Sequence, residues 1–158
     1  MVTYRLRIMA GILACGALAA SDANVSNLGG SWTLNADSSK WGKHERPTSI
    51  VLNIVHQEPS LKYSGEIIKP GEEASREFSF DGAIDGKGYP ARGPGGDGTM
   101  AFKRVDARTV ESLYTSNDKT LVERGRLSVS TDGKHLTRQV QVKSPGGEES
   151  WTEVYDRK

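Results

Sequence analysis

From Ser31 to the C-terminus the chain divides into ten short segments of period-two or β-branched character, and none carries a sustained 3.6-residue apolar stripe. That pattern restricts the chain to an all-β fold. The predicted strands are 31–35, 49–57, 61–68, 76–81, 89–92, 99–105, 109–116, 120–130, 135–143 and 150–156. The residues between them punctuate for physical reasons. Pro59 in Glu58-Pro59-Ser60 removes a ladder donor, while Lys69-Pro70-Gly71, Asp132-Gly133 and Ser144-Pro145-Gly146-Gly147 supply the dihedrals of chain reversal. Joins of hairpin length make consecutive strands antiparallel neighbours, and a long meander removes its exposed edges by closing. A single up-and-down antiparallel β-barrel of about ten short strands is therefore expected.

Two joins read as longer. In 36–48, Asp37-Ser38-Ser39 is placed to cap one helical turn running toward Trp41, which would lie across a barrel mouth. The second, 81–98, holds Gly86-Lys87-Gly88 and Gly93-Pro94-Gly95-Gly96. A phosphate cradle needs a helix N-terminus behind its glycines, and none follows here.

Residues 1–23 have the layout of a secretory signal: Arg5 and Arg7, an apolar run from Ile8 to Ala20, then polar Ser21-Asp22-Ala23. The run is shorter than the roughly 20 residues a spanning helix requires, so no transmembrane span is expected. The expected destination is the periplasm or the exterior, with 24–158 as a single barrel domain. Small residues at Ala17, Ala19 and Ala23 suit general signal cleavage. Ile12-Leu13-Ala14-Cys15-Gly16 offers a second route, a lipoprotein box in which Cys15 carries the lipid anchor. Cys15 is the only cysteine, so the exported domain would depend on packing and sheet pairing, without a disulfide.

Removing Arg5, Arg7 and Asp22 from 21 Lys and Arg and 20 Asp and Glu leaves 19 of each in 24–158. An electrically balanced domain without basic runs interleaved with aromatics lacks the field of a nucleic-acid reader, and no nucleic acid is expected as a partner. His44, His56 and His135 lie in three separate segments with no paired spacing, so no metal and no cofactor is expected.

Alternation assigns an inner face to each strand. If Trp32 points inward, so do Leu34, Leu52, Ile54, Leu61, Tyr63, Ile67, Phe78, Phe80, Met100, Phe102, Val110, Tyr114, Leu127, Val129, Leu136, Val140 and Val142, a mostly apolar lumen. Arg104, Ser112, Glu123 and Arg138 break that face. A charge buried without a partner is costly, so such residues mark either internal pairing or ligand contact. The ligand-binding candidates are Tyr63, Phe102, Arg104, Tyr114, Glu123 and Arg138, with Arg138 holding a polar head. The alternative is an internal Glu123–Arg138 salt bridge that fills a narrow barrel. No catalytic residue is assigned.

Gly30-Ser31-Trp32-Thr33-Leu34-Asn35, with a meander ending in Val154-Tyr155-Asp156-Arg157, resembles the calycin layout of lipocalins and fatty-acid-binding proteins. The middle of the chain is similar to a group of uncharacterised exported bacterial lipocalin-like proteins. Phe78, Asp81, Gly82, Tyr89, Pro90, Lys103, Arg104, Asp106, Arg108, Thr109, Val110 and Glu111 carry that likeness. The resemblance implies that Trp32 plugs the closed end and that Arg157 packs over it as a cation–π lid. The lipocalin disulfides and the helical lid of fatty-acid-binding proteins are absent from the pattern. The expected function is that of a monomeric binding protein for a small hydrophobic or amphipathic molecule. The alternatives are a lumen enzyme of isomerase or cyclase type, with Glu123 and a tyrosine as acid and base, and a solid-barrel structural or inhibitory envelope protein.

Overall fold

The computed structural model describes residues 25–158. The expected signal segment and Cys15 lie outside the described residues. Ten strands follow in chain order: β1 Gly30–Leu34, β2 Ser49–Gln57, β3 Ser60–Ile68, β4 Arg76–Ala83, β5 Gly88–Gly93, β6 Gly96–Asp106, β7 Thr109–Ser116, β8 Val122–Val129, β9 His135–Ser144 and β10 Gly147–Arg157. Each pairs antiparallel with its neighbour in sequence, and β1 pairs with β10 to complete a closed barrel. The fold is the up-and-down barrel that the meander implies, and closure leaves no strand unpaired along its length for edge-to-edge association.

Two local expectations are corrected. Residues 37–39 form a hydrogen-bonded turn, not a helical one; the side chain of Asn35, one step earlier in the chain, caps it by accepting from the Ser38 N–H at 3.0 Å. After this turn Lys40 pairs with Thr152, so the segment runs beside β10 in the lane β1 has vacated. The glycine-rich 81–98 stretch is not one long loop either. Gly93 and Gly96 pair directly, which leaves Pro94-Gly95 as a two-residue hairpin turn. Gly96 has φ 141°, a backbone region that side chains disfavour.

Strand direction divides the barrel into two ends. At one end lie the β2–β3, β4–β5, β6–β7 and β8–β9 turns with the C-terminal Arg157; at the other lie the β1–β2 segment and the remaining turns. The first end is closed. Trp32 is fully buried, its indole N–H donates to the Leu28 carbonyl at 2.9 Å, and the Arg157 guanidinium carbon stands 4.2 Å above its ring. Arg157 also donates to the carbonyls of Gly29, Asn27 and Gly133, so it ties the chain ahead of β1 to the β8–β9 turn. Gly30 permits this lid: a Cβ there would meet Arg157 Nη1 at 2.6 Å, and its φ of 136° disfavours any side chain.

His56 at the end of β2 completes the closure. Its Nδ1 accepts from the Leu28 N–H at 3.1 Å, and Nε2 lies 3.1 Å from Glu58 Oε1. Burial, then the nearby Arg104 charge, lowers the His56 pKa from 6.5, so the fold favours the neutral ring. The unfolded chain therefore binds the proton more readily. The His56 contribution is fully present above pH 6.5 and is lost as pH falls through the lowered native value. Thermal melts across pH 7.5 to 5 are expected to show falling stability that flattens in His56→Gln; an equal slope in both proteins would contradict this.

Candidate functional site

The residues on the inner face divide by end. Below, Trp32, Leu61, Val110 and Leu136 fill the closed end with almost no exposure. Against them the β3, β4 and β6 strands set an aromatic panel. Phe80 lies 4.9 Å from Phe102 and 5.6 Å from Tyr63, and Tyr63 is 6.1 Å from Phe78. Such offset and edge-on pairs add to the area they bury and hold the rings in place. Above the panel, toward the open end, the wall from β8 to β10 turns polar.

Arg138 on β9 is the centre of that polar wall. It donates Nη1 to Glu153 Oε2 at 2.9 Å and Nη2 to Glu123 Oε1. The register produces this cluster, because Glu153 is directly opposite Arg138 on β10 and Glu123 comes from the strand on the other side. Glu153 is 3% exposed and accepts two further bonds, from the Trp151 indole at 2.7 Å and the Tyr155 hydroxyl at 2.7 Å. Burial opposes its charge, but Arg138 and these donors outweigh burial and hold its pKa below the usual carboxylate value. Burial likewise opposes the Arg138 charge, and Glu123 with Glu153 outweighs it, so the guanidinium stays firmly protonated. Burial, then the Glu153 charge, raises Tyr155 well above its ordinary value, which keeps its hydroxyl a donor.

Glu123 differs from Glu153. Its Oε2 accepts no hydrogen bond among the described residues, and its side chain is 19% exposed while Arg138 is 23% exposed. Both project from the inner face, so the solvent that reaches them enters the upper lumen. Burial raises Tyr63, and its hydroxyl lies within the fields of both Arg138 and Glu123. That hydroxyl donates to the Met100 thioether at 3.1 Å, a weak acceptor that is readily exchanged.

The six sequence-derived candidates are thus placed unequally. Tyr63, Glu123 and Arg138 come together in the upper lumen. Phe102 is 3% exposed and forms part of the aromatic panel beneath them. Tyr114 is buried near Glu123, but its hydroxyl donates to the Gly96 carbonyl at 2.9 Å. Arg104 belongs elsewhere: it faces His56 and Glu58 at the closed end, and its Nη1 is buried without a partner among the described residues. The Glu123–Arg138 bridge is present, and it includes a third member the sequence reading missed. The signal for Glu153 is in β10, where Trp151, Glu153 and Tyr155 alternate and the two aromatics fix the inner face.

Over the rim, His44 stacks on Trp151 with centroids 3.7 Å apart and accepts or donates a bond of 2.8 Å with Glu149. This packs the β1–β2 segment against the polar wall. The largest concavity described, about 830 Å³, is not luminal. It lies on the outside of β6–β10 between Lys103, Arg124, Arg126, Gln139, Gln141 and their neighbours. Among the described residues no group of three or more His, Cys, Asp or Glu side chains is arranged to hold a metal ion, and no helix is long and apolar enough to cross a membrane. No protein-family model and no curated protein matches the chain.

Proposed function

We propose that the protein is an exported, monomeric binding protein whose upper lumen takes a small hydrophobic or amphipathic molecule. The observation that carries this reading is the solvent access of Arg138 and Glu123. Both lie on the inner face of a barrel otherwise filled by apolar side chains, yet about a fifth of each side chain is open, 23% and 19%. Apolar walls with a few convergent polar groups are the usual make-up of a small-molecule site. The aromatic panel supplies the apolar wall, and the Glu123–Arg138 pair supplies the polar end. The outer groove lacks aromatic walls and is open along its length, which suits a small amphiphile less well. The monomer is supported by the closed sheet, and the expected signal in 1–23 supports export.

A filled barrel with no ligand is the competing reading, and the solid packing around Trp32 favours it for the closed end alone. Titration with N-phenyl-1-naphthylamine, a neutral dye that brightens in apolar sites, separates the two. Saturable binding at micromolar dye is expected, weakened about tenfold or more by Ile67→Glu at the apolar wall, where it would bury a charge. Absence of saturable binding to the folded wild-type protein would overturn the proposal.

A further inference from the structure

Resting on that reading, we infer that the lumen selects ligands with a cationic or strongly donating head, such as a primary or quaternary amine on an apolar body. The inference starts from a count of charges. Arg138 is shared by two carboxylates, Glu123 and Glu153, so the cluster carries a formal charge of −1. Its positive member has no charge left to offer an anion. Glu153 is saturated by Arg138, Trp151 and Tyr155. The one acceptor left open is Glu123 Oε2, and it faces the part of the lumen that solvent reaches.

The surroundings favour the same head group. A carboxylate, sulfate or phosphate entering here would meet Glu123 with Arg138 already engaged, and would add a second negative charge to a confined space. An ammonium would restore neutrality, donate to Oε2 as a charge-assisted bond, and lie near the aromatic faces of Tyr63 and Phe78, which attract cations. Tyr63 contributes a hydroxyl whose present partner, the Met100 sulfur, holds it only weakly. The acid expected from the sequence as the partner of Arg138 is thus replaced by a base as the partner of Glu123.

The test uses three probes of equal size and different head: 4-phenylbutylamine, 4-phenylbutanol and 4-phenylbutanoate, each displacing N-phenyl-1-naphthylamine at pH 7. The amine is expected to bind about tenfold or more tighter than the acid, with the alcohol between them. Glu123→Gln is expected to remove most of the amine's advantage while leaving the alcohol within about twofold. Equal displacement by all three, or preference for the acid, would overturn the charge selection and leave the binding function intact. Failure of the dye itself to bind would overturn the binding function, and this inference with it. The wild-type series reads the selection even if the Glu123 variant folds poorly.

Discussion

Arg138→Met is expected to lower the stability of the barrel by about 3–5 kcal/mol, read as a drop in the urea midpoint and a melting temperature lower by roughly 10 °C or more. Methionine fills a similar volume, so the loss is not a cavity. It arises because Glu153, 3% exposed, keeps its charge but loses its counter-ion, and Glu123 loses its only protein partner. The pH dependence separates this cause from packing. Without Arg138, burial raises the Glu153 pKa above its unfolded value, so the native carboxyl gains a proton first. The deficit is then present at neutral pH and shrinks on acidification toward pH 5. Adding Glu153→Gln and Glu123→Gln to Arg138→Met is expected to recover at least half of the loss, because a barrel without the charges no longer bears their desolvation. A loss independent of pH, and unrelieved by the triple change, would show that Arg138 acts through packing.

The second large effect is at the opposite end. Trp32→Ala is expected to cost about 3–5 kcal/mol, the range for truncating a fully buried large aromatic. The indole bond to the Leu28 carbonyl and the Arg157 contact are lost with it. Trp32→Phe keeps most of the apolar volume, and its urea midpoint is expected between those of the wild type and the alanine variant. Dye binding in the upper lumen is expected to survive Trp32→Phe, because the aromatic panel and the Arg138 cluster do not use Trp32. A midpoint for Trp32→Ala within experimental error of the wild type would contradict the plug.

Much of the fold was legible because its determinants are local. Strand β7 occupies 109–116 as the alternation Val110, Ser112, Tyr114 predicts, and β2 runs 49–57 up to the turn at Glu58-Pro59. The short joins then leave little topological choice. Where glycine density misled, at 81–98, the reason is that the same residues suit a mobile loop and a tight hairpin. Only pairing across the turn, Gly93 with Gly96, decides between them.

The site was legible by face but not by height. Alternation puts Arg104 and Arg138 on the inner wall, and both are there. Strand tilt and stagger decide which end of the barrel each one meets, and those come from closure of the whole sheet. Arg104 therefore reaches Glu58 and His56 instead of joining Arg138. Glu153 was missed because β10 was judged by its terminal Tyr155-Asp156-Arg157 and not by the face Trp151 and Tyr155 share. Its inclusion changes the chemistry of the cluster from a neutral pair to a triad with one negative charge in excess.

The most direct measurement places the dye. Met100 is the only methionine from residue 24 onward, and its sulfur accepts from Tyr63 in the upper lumen. NMR of the ¹³C-labelled Met100 methyl and the tryptophan indole N–H groups, recorded during titration with N-phenyl-1-naphthylamine, reads the upper lumen, the rim and the closed end at once. The Met100 methyl and the Trp151 indole are expected to shift with the dye's binding curve while the Trp32 indole stays fixed. Saturation of the dye with the Met100 methyl unmoved, and shifts instead at Leu113 on the outer face of β7, would contradict a luminal site.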